Sequence, residues 1–264
     1  KAANYRPISL LPIIAKIFDI IINNQLMKHL TQHNLISPTQ YAFRPNSNTT
    51  MALQAVINKI HRHKTAKQPT LEIYVDLSKA YDTILHSKLI HKLQHQFNFD
   101  PTTVDFFASY FKNRTQATYT QNAKSAILTI THGIPQGSTL STTFFLLYIN
   151  DIIKTVPSST VYTYADDTTL IITAANTQAL QKLAQSELNS LINYFYTNNL
   201  VPNPKKTNYT IFYPQPSEPI QLSIETTILE QQEKARLLGI IIHQDLKQHQ
   251  TVNNIIKKIH LHYA

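Results

Sequence analysis

The chain of 264 residues has no cysteine and no tryptophan, and only two methionines and three glycines. The missing cysteine excludes disulfides and any cysteine-ligated zinc. It also removes the usual sign of an oxidising compartment, so location is left open. Long apolar runs are lacking as well. The longest, Ile13–Ile22 and Phe144–Ile149, are interrupted or short beside the roughly 20 residues of a membrane helix, so no membrane partner is expected. No charged-then-apolar leader follows Lys1, and the chain reads as a piece of something longer. Codons for Gly, Trp and Cys share a guanine at the second position, so their joint scarcity is what a G-poor coding strand would produce. Acidic residues are sparse too: Asp plus Glu total 15 against 24 Lys plus Arg, a formal charge of +9. That surplus points to a polyanionic partner or to simple solubility.

What is present suits a folded protein, with 42% hydrophobic and 15% charged residues. Ile14, Ile17, Phe18 and Ile21 fall at helical spacing and predict a helix over about 14–30; Leu53, Val56, Ile57 and Ile60 predict another. Leu71, Ile73, Val75 and Leu77 alternate with Glu72, Tyr74 and Asp76, the pattern of a strand with one polar face. Leu85, Leu89 and Leu93 mark a helix, 116–120 and 126–131 read as β-like, and 138–152 looks helical. Residues 161–172 read as a hairpin turning at Ala165-Asp166-Asp167. A helix over 180–195, short strands within 207–243 and a basic helix from Val252 complete the pass. Helices mixed with mainly antiparallel strands give an α+β fold class.

The informative residues are acidic ones in a basic chain. Asp76 ends an apolar strand, and Asp166 and Asp167 sit side by side at a turn. Adjacent carboxylates repel, and a bound cation relieves that repulsion. Oxygen-only donors suit Mg²⁺. Three carboxylates from two strands can hold two ions about 3.5–4 Å apart, the arrangement of in-line phosphoryl displacement. An Asp-Asp pair alone also fits an ordinary polar hairpin tip. Gly133-Ile134-Pro135-Gln136-Gly137-Ser138 holds two of the three glycines, which points to backbone geometry that other residues do not supply, or to an ordinary turn before a helix.

In this order, Val75-Asp76…Ala80-Tyr81-Asp82, then Gly133-Ile134-Pro135-Gln136-Gly137, then Tyr164-Ala165-Asp166-Asp167 resemble the reverse transcriptases. The chain is most similar to those of non-LTR (LINE-type, jockey-like) retrotransposons. Asn4-Tyr5-Arg6-Pro7-Ile8-Ser9-Leu10-Leu11-Pro12, Phe43-Arg44-Pro45, Leu146–Asp151, Asn203-Pro204-Lys205-Lys206-Thr207 and Leu237-Leu238-Gly239 extend the likeness over nearly the whole chain. The resemblance implies a right-hand polymerase over 1–246, with fingers about 1–70 and parts of 85–130 and a palm mostly 71–240. Only the start of a thumb follows, at 247–264. It implies an RNA-directed DNA polymerase with an RNA template, a DNA primer, deoxynucleoside triphosphates and two Mg²⁺ ions, Mn²⁺ being a substitute. An element copying into host DNA would act in the nucleus. Oligomeric state is left open.

By the same resemblance, Asp76 and Asp166 would bridge both metals, with Asp167 and the Leu77 carbonyl as further ligands. Lys206 would protonate the leaving pyrophosphate. Arg44, Tyr81, Gln136 and Gly137 would contact the incoming nucleotide, Tyr81 as a steric gate against the ribose 2′-hydroxyl. Leu238 and Gly239 would grip the primer end. Asp82 reads instead as a local helix-start partner. The family's glycines near Ala42 and Asn46, its Gly-Pro at Ser141 and Thr142 and its Trp at Tyr194 are absent. An RNA-dependent RNA polymerase and an inactive RNA-binding module from a decayed element are the alternatives. His61 and His63, or His260 and His262, have metal-like spacing but no third ligand, and read as solvated.

Overall fold

The computed structural model describes residues 8–120, 122–213 and 219–246. The expected thumb start, the basic helix from Val252 and most of the Tyr213–Pro219 loop lie outside them. The chain divides into two compact units. The first takes the described parts of Lys1–Ser37, Lys79–Asp151 and Tyr196–Val201, and the second those of Pro38–Ser78, Ile152–Phe195 and Pro202–Ala264.

The second unit is built on a five-stranded sheet. Its strands are β1 (Thr70–Val75), β2 (Thr160–Tyr164), β3 (Asp167–Thr173), β4 (Asn208–Tyr213) and β5 (Glu230–Gln231), in the order β5-β4-β1-β3-β2. All neighbours are antiparallel except β4 and β5. β-branched and aromatic residues dominate β1 to β4, as a pleated surface favours. The row of Glu72, Tyr74 and their neighbours is not solvated. Helix α2 (Thr49–Thr65) sends Val56 and Ile60 onto Ile171 and Phe212, together with Leu237 and Ile242 of a second hairpin, β6 (Lys234–Leu237) and β7 (Ile240–His243). Asn48 caps α2, accepting a hydrogen bond from Met51 N. Both faces of β1 are therefore buried, and the polar face that strict alternation predicts is an interior one.

The first unit is largely helical: α1 (Ile13–Gln32), α3 (His86–His95), α4 (Pro101–Phe111) and α5 (Thr139–Ile149). α4 escaped the sequence reading, although Asp100 caps it and Pro101 fits its first turn. α5 is buried nearly all round, from Leu140 to Ile149, as a helix apolar on every side should be. α1 forms where expected, but its stripe does not face the core. Ile14 and Ile17 are 82% and 54% exposed, while Asp19, Leu26, Met27 and Leu30 are buried. The β-like runs after α4 are short exposed ladders, 115–116 with 128–129 and 119–120 with 123–124. Helix α6 (Thr177–Thr197), in the second unit except for its last two residues, buries Leu180, Ala184, Leu188 and Leu191 at helical spacing.

Candidate active site

Strand register brings the carboxylates to one end of the sheet. The last β1–β3 pair is Val75 with Thr168, so Asp76 follows it on one strand and Asp167 precedes it on the other. β2 and β3 pair through Tyr164 with Asp167, which leaves Ala165 and Asp166 as a two-residue turn. Ala165 carries the turn at φ 55. Asp76, Asp166 and Asp167, ninety residues apart in the chain, thus stand at one end of neighbouring strands.

The stretch after α6 closes on Asp76. Asn203 N donates to the Asp76 main-chain oxygen at 2.8 Å, and Asp76 N donates to Thr207 Oγ1 at 3.3 Å. Asn203 O in turn accepts from Lys206 N and Thr207 N at 3.1 and 2.9 Å. Pro204, with φ preset and no N–H to leave unpaired, suits this turn. The turn brings Lys206 Nζ to 3.9 Å from Asp76 Oδ2, an exposed pair. In the sequence an Asn-Pro dipeptide signals a turn at Asn203 but not its partner, so the hold of Asn203 and Thr207 on Asp76 is a finding of the structure.

Arg44 and the second hairpin belong to the same unit. Arg44 Nη1 donates to Gln40 O at 3.0 Å, and Gln40 bridges to Thr163 on β2. Leu238 and Gly239 form the β6–β7 turn, at φ 48 and 84. Leu238 and Leu237 line a narrow crevice with Tyr162, Tyr164 and Asp167. Positive φ also falls on Phe43 and Asn46, in the stretch where this chain lacks the family's glycines. Asn tolerates that conformation better than most residues.

Tyr81, Gln136 and Gly137 are brought together in the first unit. Ile134 N donates to Tyr81 O at 2.9 Å, and Gly133 N to Ile84 O at 2.7 Å. Gln136 Nε2 donates to Asp82 Oδ1 at 2.8 Å, so Asp82 holds the loop and caps no helix, contrary to the sequence expectation. The Tyr81 ring stacks on Phe145 at 4.7 Å and 10°. Beneath the loop, buried Asp19 accepts from Ser138 Oγ and from Tyr110 Oη; Ser138 caps α5.

Carboxylate and carbonyl oxygens are hard donors, the set that suits Mg²⁺ rather than a thiophilic ion. Among the described residues, no three His, Cys, Asp or Glu side chains are gathered round one point. The exposed ammonium of Lys206 stands beside the Asp76 carboxylate. Deeper in the same strand, Glu72 is fully buried. Desolvation raises its carboxyl from 4.5 to about 8, against the lowering effect of a hydrogen bond from Tyr74 Oη at 2.6 Å.

Comparison with known proteins bears on the family and the fold. Residues 1–242 match the family described as reverse transcriptase (RNA-dependent DNA polymerase). The RNA-directed DNA polymerase from mobile element jockey of Drosophila melanogaster is 26% identical over 259 residues, covering 96% of this chain and 28% of that protein. The probable RNA-directed DNA polymerase from transposon BS, of the same species, is 25% identical over 92% of this chain and 28% of its own length. The chain thus spans under a third of these relatives. Among solved structures, apo telomerase from Candida tropicalis, truncated from its C-terminal domain, superposes with TM-score 0.58 at 15% identity, over 87% of this chain and 44% of that one. That likeness concerns the fold, an α+β right-hand polymerase architecture with a mainly antiparallel sheet. With the motif order, the carboxylates at one sheet end and a family match over nine-tenths of its length, the chain belongs to the reverse transcriptase family, on its jockey-like, non-LTR side.

Proposed function

We propose that this chain carries the polymerase chemistry of a retrotransposon protein: extension of a DNA primer on an RNA template from deoxynucleoside triphosphates. The sheet would serve as palm, with fingers about 1–70 and parts of 85–130. The observation that supports the reading is the register of β1 on β3, whose last pair, Val75 with Thr168, is followed by Asp76 on one strand and preceded on the other by Asp167, next to the turn bearing Asp166. Reverse transcriptases generally use divalent metal ions. Here Asp76, Asp166, Asp167 and the Leu77 carbonyl would hold two Mg²⁺ ions, or Mn²⁺ in their place. When bound, such ions supply charge neutralisation at the triphosphate and a lowered pKa at the primer 3′-hydroxyl.

The chain's own residues have separable tasks. The clasp of Asn203 and Thr207 on the Asp76 main chain fixes where that carboxylate stands. Lys206 Nζ, held by the same turn, is placed to give a proton to the departing pyrophosphate oxygen. Arg44 presents a planar fork of donors to phosphate oxygens. Tyr81, locked by stacking on Phe145, sets a rigid edge against a 2′-hydroxyl. Gln136 and Gly137 offer an amide and bare backbone to the nucleotide, and Leu238 and Gly239 turn towards the primer.

Primer extension by purified Asp76→Asn and Asp166→Asn chains, with circular dichroism as the fold control, tests the assignment. Extension is expected to be abolished while the spectrum stays unchanged. Undiminished extension by either variant overturns it. Tyr81→Ala should raise ribonucleotide incorporation, measured as the ratio of kcat/KM for the two sugars.

A further inference from the structure

Gln40 is 2% exposed, on the segment that runs beside β2. Its main chain is tied into that strand: Tyr41 N donates to Thr163 O at 2.9 Å, and Thr163 N to Thr39 O at 3.0 Å. The side-chain oxygen Oε1 accepts twice, from Ala42 N at 2.9 Å and from Ala165 N at 3.4 Å. Two converging N–H donors require an acceptor, so the amide cannot turn over. Its Nε2 is accordingly left buried, without a partner among the described residues. An orphaned buried donor carries a desolvation cost that ordinary packing would avoid with an apolar side chain. The position it secures is the unusual one. Ala165 sits at φ 55, a conformation that an L side chain keeps only where its surroundings over-determine it. The next residue is Asp166.

We infer that Gln40 is a positioning residue for the acidic turn: its side-chain oxygen holds Ala165 so that Asp166 is presented in one orientation, while its main-chain oxygen anchors the Arg44 guanidinium beside it. The inference rests on the function proposed above, in which Asp166 binds metal. It makes one glutamine the link between a phosphate-binding arginine and the metal-binding turn.

Gln40→Met, of equal length without the amide, and Gln40→Glu, which keeps an acceptor at the same reach, separate this role from packing. Three readouts apply to each full chain: amide exchange over 162–167, Mn²⁺ binding by electron paramagnetic resonance, and the Mg²⁺ concentration giving half-maximal extension. For Gln40→Met, exchange at Ala165 and the Mn²⁺ dissociation constant are each expected to rise about fivefold, the scale of one lost hydrogen bond. The Mg²⁺ requirement should rise with them. Gln40→Glu should keep the protection at Ala165. A folded Gln40→Met chain with unchanged exchange and Mn²⁺ affinity overturns the inference, as does a Glu variant that loses as much protection as the Met one. Should Gln40→Met not fold, Gln40→Asn, one methylene short, carries the same test. If the unaltered chain binds no Mn²⁺, the metal reading fails, and exchange at Ala165 alone decides the role of Gln40.

Discussion

Glu72 shows how burial rewrites a side chain. It lies under α2 with its carboxyl raised to about 8. Between pH 4.5 and 8 the unfolded chain has released this proton and the folded chain keeps it. The favourable contribution of the neutral acid is complete below pH 4.5 and is lost as pH rises towards 8. The slope is about 1.4 kcal/mol per pH unit. Glu72→Gln should therefore flatten the fall in stability across this window, as followed by urea unfolding at pH 5, 6 and 7. An equal slope in both chains would contradict the burial argument. Positive φ is another matter for single residues. Asn34, Asn46, Asn98, Asn113 and Asn199 take the left-handed conformation, doing in a glycine-poor chain what glycine does elsewhere.

Two elements invite direct tests. α3 meets α5 through a buried lysine: Lys92 Nζ donates to Tyr148 O at 2.6 Å and to Asp151 Oδ1 at 2.7 Å. Burial lowers the Lys92 pKa, and Asp151 opposes that shift. Removing one partner of such a pair strands the other, so Asp151→Ala should cost about 3 kcal/mol; Lys92→Met should cost less, because Asp151 is the more exposed of the two and keeps its hydrogen bond from Gln96 Nε2. Denaturant midpoints distinguish the two. The loop before α5 offers a contrast between glycines. A Cβ on Gly133, at φ 82, would stand 2.9 Å from Asp82 O, whereas one on Gly239, at φ 84, would meet nothing within 4 Å. Gly239→Ala should cost only the backbone term of about 1 kcal/mol, and Gly133→Ala clearly more. Equal losses in thermal melts would show that the close approach to Asp82 is not what Gly133 serves.

For the whole molecule, the charge of +9 predicts that the primer–template binding proposed above would be carried by phosphate contacts. The logarithm of the binding constant should then fall linearly with the logarithm of salt, and similarly for unrelated template sequences. A salt-independent affinity, measured by fluorescence anisotropy, would remove that explanation. Among the described residues no helix is long and apolar enough to cross a membrane.

Local chemistry wrote much of this protein into its sequence. Period-two and helical spacings marked β1, the β2–β3 hairpin, α2 and α3, because short-range sterics and one-sided burial act on neighbours in the chain. Motif order likewise carried the family. Tertiary structure alone decided which face counts as inside. The isoleucine stripe of α1 is exposed, while Glu72, on the polar face of β1, is buried under α2. Periodicity records that two faces differ, but not what packs on either. Tertiary structure also decided which residues act together: Gln40 with Ala165, Asp82 with Gln136, and Asn203 with Asp76 meet only through long-range hydrogen bonds. Such bonds depend on sheet register and loop closure, which no local pattern encodes.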